Sequence, residues 1–247
     1  NDLQKWTFGG ADSDPGIRAE SAWDLTTGRP DVTIAVIDSG VMLTHPDLSS
    51  NLWTNPGEIA GNGVDDHSNG FVDDVHGWDF YASDADTNPD LGNGINDDGF
   101  GIGDDNTYHG TFAANLAAGR GNDGRGVCGT SWQCSVMAIK IFTDDGVANT
   151  FHIASALEYA ADNGADVINI SLETRSSNTT LQEGVAYAVA RDCVVVAAAG
   201  NDGFANTVYP AGYSGVLAVG GSGHAFGPPA IQGFFGPPRP LGQLLRG

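Results

Sequence analysis

The sequence predicts one α/β domain: a doubly wound parallel sheet with helices on both faces. Three observations carry this. Short, nearly continuous apolar runs recur from residue 31 onward, helix-like amphipathic stretches separate them, and glycines stand where those stretches should stop. Strands covered on both faces lose the polar alternation of half-exposed strands, and strand–helix alternation is the pattern of a parallel sheet. The length of 247 residues and an apolar content of 40% suffice for a sizeable core. No internal repeat is present.

The elements follow in order. Val32 to Ile37 is β-branched and almost wholly apolar, as a central strand requires. Tyr108 to Ala118 has helical spacing, with Phe112 and Leu116 one turn apart and Gly119 placed to end it. Ser135 to Phe142 is the second strand. Thr150 to Asn163 follows as a helix with Ile153, Leu157 and Ala160 on one face and Gly164 as its stop. Val167 to Ile170 is the third strand, Leu181 to Ala190 a helix, Cys193 to Ala199 the fourth strand and Val216 to Val219 the fifth. From Gly221 to Gly247 the pattern breaks into Gly- and Pro-rich sequence without strand or helix period, which reads as a poorly ordered tail.

Charge narrows the function. Acidic residues outnumber basic ones 31 to 10, for a net charge of −21. Nucleic-acid and anionic-membrane binders need clustered Lys and Arg, so neither is expected as a partner. No apolar run approaches the length of a membrane span. Asn1 to Trp6 lacks the charged-then-apolar layout of a signal peptide, although a processed secreted chain reads the same way. Of the acids 26 are Asp, and none of the basic residues lies between Arg29 and Arg120, an interval holding 15 Asp and Glu58. Asp, Asn and Gly are turn formers, and the first two are hard-cation ligands. Bound calcium is therefore expected, against the plainer reading of a solvated acidic loop. Cys128 and Cys134 are close enough in sequence for a local bridge in an oxidising compartment, and Cys193 reads as a buried thiol. Their spacing is not a zinc motif.

In an open parallel sheet, ligands bind outside the carboxyl ends of the strands. Asp38 ends the first strand, Ser171 follows the third and Asn201 follows the fourth, so topology alone brings three polar residues to one edge. Any one of them is an ordinary turn residue; three together with a histidine are not. His109 opens a helix, where Gly110 permits close packing and the helix dipole disfavours the imidazolium, while a neighbouring Asp would stabilise it. His45, His67, His76, His152 and His224 have no comparable setting and read as surface, turn or helix residues.

Ile34 to Val41 with Thr44-His45-Pro46-Asp47-Leu48 resembles the catalytic-aspartate motif of the subtilisin-like serine proteases. His109-Gly110-Thr111 is similar to their catalytic-histidine motif, and Val195 to Asn201 to their oxyanion-asparagine motif. Tyr209-Pro210-Ala211 and Val216 to Gly220 match the same family, in the family's order. The resemblance covers about residues 6–220. It implies that Asp38 orients His109, that His109 acts as general base and then acid, and that Asn201 donates to the oxyanion. It also implies that Ser171, Leu172 and Glu173, with Ala199 and Gly200, line a cleft pairing with extended peptide. Glu173 replaces the usual glycine, giving a narrower, acidic wall, and Phe112 stands where a second histidine is common.

The nucleophile is the departure. The family carries its serine in Gly-Thr-Ser-Met-Ala opening a helix, and nothing from Gly221 to Gly247 matches it. Ser222 is the one serine there, with no helical pattern behind it. The fold is thus expected to lack its C-terminal portion, with residues 1–220 forming the peptidase domain and residues 221–247 lying outside it.

Calcium sites are expected within an acidic insert at about residues 55–106. Asp65 to Asp74 resembles an EF-hand-type loop, with ligands at Asp65, Asn69, the Phe71 carbonyl, Asp73 and Asp74. His67 occupies a position that normally supplies oxygen. Asp84, Asp86, Asn88 and Asp90 alternate, Asn93, Asn96, Asp97 and Asp98 form a further cluster, and Asp47 and Asp123 fall where the family has calcium ligands. The expectation is a secreted, calcium-binding endopeptidase acting on protein or peptide substrates and impaired by the missing serine, the alternative being a non-catalytic calcium- or peptide-binding remnant. Faces uncovered by the missing segment predict a homo-oligomer.

Overall fold

The computed structural model describes residues 19–90, 108–143, 147–201 and 207–220. At its centre lies β1, Thr33–Asp38, buried along its whole length. It pairs in parallel with β3, Ser135–Lys140, on one side and β4, Val167–Ile170, on the other, with Ile34 opposite both Val136 and Val167. Beyond β4 lie β5, Val194–Ala198, and then β6, Val216–Val219; beyond β3 lies β2, Gly77–Asp79. The order β2-β3-β1-β4-β5-β6 is parallel throughout.

Alternate β1 residues face opposite layers, which makes the sheet doubly wound. Ile34 and Val36 pack with Val41, Leu48 and with Ala114 and Ala118 of α2, His109–Ala118. Ala35 and Ile37 pack on the opposite face with Ile153 and Leu157 of α3, Thr150–Asp162, and with Leu181 and Val185 of α4, Thr179–Ala190. Each fully buried Leu or Ile contributes about 1.5–3 kcal/mol relative to exposure. Both later helices start where side chains satisfy free N–H groups: Asn149 accepts from Phe151 N, and Asn178 from Leu181 N. A short α1, Ala19–Trp23, precedes the sheet.

Three expectations change. The pair that located α2, Phe112 and Leu116, is 62% and 45% exposed, whereas its buried face is Gly110, Thr111, Ala114, Asn115 and Ala118. Small residues let this helix approach β1 closely. The fifth expected strand, now β6, is an edge strand with Leu217 and Val219 about half exposed. β2, inside the acidic insert, was not expected, because Gly-Trp-Asp has no strand alternation and is held by pairing with β3. Cys128, Cys134 and Cys193 are buried, unbridged thiols. The cluster from Asn93 to Asp98, Ser222, His224 and the Gly/Pro-rich tail lie outside the described residues.

Candidate active site

Asp38 sits at the carboxyl end of β1 and is 1% exposed. Its Oδ1 accepts from Ser39 N at 2.7 Å. His109 is the first residue of α2, and its Nδ1 lies 2.8 Å from Oδ1 and 2.9 Å from Oδ2 of Asp38. A carboxylate only accepts, so this nitrogen carries the proton and the other is left as the basic one. The hydrogen bond from Asp38 raises the His109 pKa above its ordinary value, against partial burial, which lowers it. The carboxylate therefore outweighs the desolvation of the ring.

Gly110 explains how α2 comes so close. A Cβ there would overlap Gly40 O and stand 2.9 Å from Asp38 Cβ. Gly110 N instead donates to Ser39 Oγ at 3.0 Å, clamping the two motifs together.

β1, β4 and β5 are neighbours, so Asp38, Ser171 and Asn201 emerge side by side at their carboxyl ends. Asn169 Nδ2 donates to Ser171 Oγ at 2.9 Å. The stretch from Ser171 to Glu173 is half-buried and continues to Thr174, which exchanges two 2.8 Å backbone hydrogen bonds with Tyr209. Across from it, Ala199 N donates to Val219 O, and Asn201 is exposed. Gly200 has φ +94°, and a Cβ on it would overlap Glu173 Oε2, a buried atom without a hydrogen-bond partner. Glu173 thus stands against the turn that carries Asn201.

A family model, Peptidase_S8 (Subtilase family), matches residues 29–226. The chain belongs to the subtilase family. It is 36% identical over 203 residues to thermitase of Thermoactinomyces vulgaris, covering 82% of this chain and 59% of that protein. It is 34% identical, over 82% of its length, to a halolysin-like extracellular serine protease of Natrialba magadii, of which it spans 32%. Among solved structures, a protease of Pseudoalteromonas arctica PAMC 21717 matches with TM-score 0.64 and 27% identity, over 82% of this chain and 59% of that one. The chain spans about a third to six-tenths of the curated relatives it matches.

The described part of this subtilase's acidic insert, residues 55–90, is organised mostly by its own hydrogen bonds. Asp65 accepts from Asn69 N and Gly70 N, and Asp73 from Asn62 N and Gly63 N. Asn69 Oδ1 accepts from Phe71 N. Asp74 is buried and accepts from Asn55 Nδ2, Asn69 Nδ2 and the Tyr159 hydroxyl. Desolvation raises its pKa, against the hydrogen bonds that lower it. Asp84 and Asp86 accept from backbone N–H groups two residues on. Lys140, 3% exposed, donates to Asp79 and Asp90. Burial alone would lower the Lys140 pKa; the two carboxylates outweigh it.

Calcium fits Asp47 better than it fits most of the insert. Asp47 is 2% exposed, its Oδ2 accepts from Val127 N at 3.2 Å, and its Oδ1 is buried without a partner. A lone anionic oxygen costs several kcal/mol unless a cation meets it. The turn it faces carries Asp123, whose own Oδ1 accepts from Arg125 N. Among the described residues one group of three metal-ligating side chains converges, Glu58, Asp65 and His67. Sequence reasoning found Asp65 but missed Glu58, the sole Glu in a run of Asp, and took His67 for a turn residue. It also missed Ser39, Tyr159 and Lys140, which act only through tertiary contacts.

Proposed function

We propose that this chain is the Asp- and His-bearing part of a secreted, calcium-binding subtilisin-like serine endopeptidase acting on proteins or peptides. The observation that carries this is the Asp38–His109 pair on the strand edge that also presents Ser171 and Asn201. Asp38 holds His109 in the tautomer whose second nitrogen accepts and returns a proton. Asn201 donates to the oxyanion that develops on the scissile carbonyl, a contribution of about 3–4 kcal/mol in comparable sites. Ser171, Leu172 and Glu173 face Ala199 and Gly200 across a cleft for extended peptide. The unpartnered Glu173 carboxylate favours substrates with a Lys or Arg side chain there. Calcium, held by Asp47 and the Asp123 turn, supplies charge compensation and rigidity rather than chemistry. Residues 1–220 constitute the peptidase portion, and residues 221–247 stand outside it.

The 247-residue chain contains no Gly-Thr-Ser-Met-Ala run. It is therefore expected to bind peptide and turn it over poorly. Loss of the serine alone costs about 10⁶ in turnover in subtilisin, the system behind that figure. Secretion is supported by the extracellular relative and is compatible with the lack, among the described residues, of a helix able to cross a membrane. The half-exposed Val194, Leu217 and Val219 support self-association.

A fluorophosphonate probe with a casein assay tests turnover, and anisotropy with Lys- and Glu-containing peptides tests the cleft. The expected result is no labelling, negligible cleavage, and preferential binding of the Lys peptide that Glu173→Gln abolishes. Labelling lost in both His109→Ala and Ser222→Ala would show an active chain using Ser222. Absence of any peptide binding would overturn the cleft.

A further inference from the structure

We propose that Glu58, Asp65 and His67 form a site for a divalent metal ion of the zinc class, separate from the calcium assigned above to Asp47. Glu58 is the decisive residue. Its side chain is wholly buried, at 0% exposure, in an insert without any Lys or Arg. Oε1 accepts from Asp66 N at 3.1 Å and lies 2.6 Å from His67 Nδ1, but Oε2 is buried with no hydrogen-bond partner. A charged His67 would neutralise one oxygen and still leave the other unmet. Such an atom forfeits its hydration with nothing in return. A cation at this point satisfies the carboxylate as a whole.

Two further donors stand close by. Asp65 Oδ1 lies 3.9 Å from His67 Nδ1, and the ligand atoms of all three residues fall within 4.8 Å of one another. Zinc–ligand bonds of about 2.0–2.2 Å put donor pairs about 3.2–3.6 Å apart. On metal entry the 2.6 Å His67–Glu58 hydrogen bond therefore opens by about 1 Å, the ring nitrogen gives up its proton to solvent, and Asp65 draws in. Backbone contacts fix each donor. Asp65 is held by Asn69 N and Gly70 N, Glu58 by Asp66 N, and the His67 ring rests on Gly57, where a Cβ would stand 2.7 Å from the ring's Cγ. Each carboxylate oxygen that takes an N–H keeps a second lone pair for a metal.

The nitrogen donor decides the metal. Calcium takes oxygen ligands, and an imidazole in the third position of an otherwise acidic loop replaces one of them. Imidazole with two carboxylates suits zinc and its neighbours among the first-row metals, with water completing the coordination. Binding joins Glu58 to the turn at Asp65–His67 and closes a loop whose base is tied by Asn55 N donating to Val75 O. The ion is structural in this reading.

The test uses the full chain, stripped with chelator and titrated with cobalt(II) as the visible probe and with zinc by calorimetry. The expected result is one equivalent bound per chain, with cobalt absorption bands that millimolar calcium does not bleach. His67→Asn and Glu58→Gln should each weaken both metals by about 100-fold or more, since loss of even an outer-sphere partner costs about 10–100-fold. Zinc should raise the Tm of the parent chain and leave both variants unmoved. His67 is exposed, so its variant carries the test if Glu58→Gln fails to fold. No cobalt bands in the parent chain, unchanged binding in His67→Asn, or displacement by equimolar calcium would each overturn the assignment.

Discussion

Gly110→Ala is the substitution that most directly probes how the Asp38–His109 pair is held. Replacing a helical glycine with alanine ordinarily stabilises by about 1 kcal/mol. Here the added Cβ overlaps Gly40 O, stands 2.9 Å from Asp38 Cβ and lies 3.1 Å from Asp38 Oδ1, against ordinary contacts of 3.4 Å or more. The Gly40 oxygen belongs to backbone and cannot rotate away, so α2 must retreat from β1. That retreat breaks the Gly110 N to Ser39 Oγ bond and draws His109 off Asp38. Overpacking costs about 1–3 kcal/mol against a propensity gain of about 1 kcal/mol, so the net expectation is a loss of up to roughly 2 kcal/mol. Urea denaturation measures it, and an NMR titration of His109 should show its pKa falling toward that of a free imidazole. An alanine variant as stable as the parent, with His109 titrating unchanged, would refute the close-approach argument.

Three further outcomes are expected. His109 has a raised folded-state pKa, so the stabilisation it draws from Asp38 is fully present below the unfolded value of about 6.5 and is lost as pH rises through the folded one. The stability difference between the parent chain and Asp38→Asn should therefore shrink from pH 6 to pH 9 in paired urea melts; a constant difference would count against the pairing. Removal of calcium should lower Tm by roughly 5–10 °C, the equivalent of about 2.7 kcal/mol at a hundredfold excess over Kd, and Asp47→Asn should abolish that response; identical melts with and without chelator would contradict the calcium reading. Light scattering should show a concentration-dependent dimer or larger species that Leu217→Lys disperses, and a monomer at every concentration would sink the self-association reading.

The sheet was legible because its strands are local features. Val167 to Ile170 and Val216 to Val219 have the same limits in sequence and structure, α3 starts at Thr150 as expected, and Asn178 sets the start of α4 two residues before the expected Leu181. Helix orientation was less legible. In α2 the large apolar residues face outward and the small ones inward, so a reading by hydrophobic size selects the wrong face. Short β2 has no pattern of its own and exists only because β3 lies beside it.

The two halves of the polar chemistry differ for a related reason. Asp38 ends β1, and Ser171 and Asn201 follow the ends of β4 and β5, so the sheet's topology converts their positions in the sequence into adjacency at one edge. The acidic insert has no such frame. Its carboxylates look equivalent in sequence, yet the fold assigns them different partners: Asp65 and Asp73 take N–H groups of their own loop, Asp74 takes Tyr159 from α3, and Asp79 takes Lys140 from β3. Those contacts give each of these four described carboxylates hydrogen-bond donors from the protein itself, and Asp79 a cation. Among the described residues three carboxylate oxygens are buried without a partner: Asp47 Oδ1, facing the turn that carries Asp123; Glu58 Oε2, whose carboxylate also meets His67; and Glu173 Oε2, against Gly200. Total acidity is thus a poor guide to which carboxylate oxygens the fold leaves unmet. On the proposals above, a buried oxygen that nothing else satisfies is where a metal ion or a cationic side chain is expected to bind.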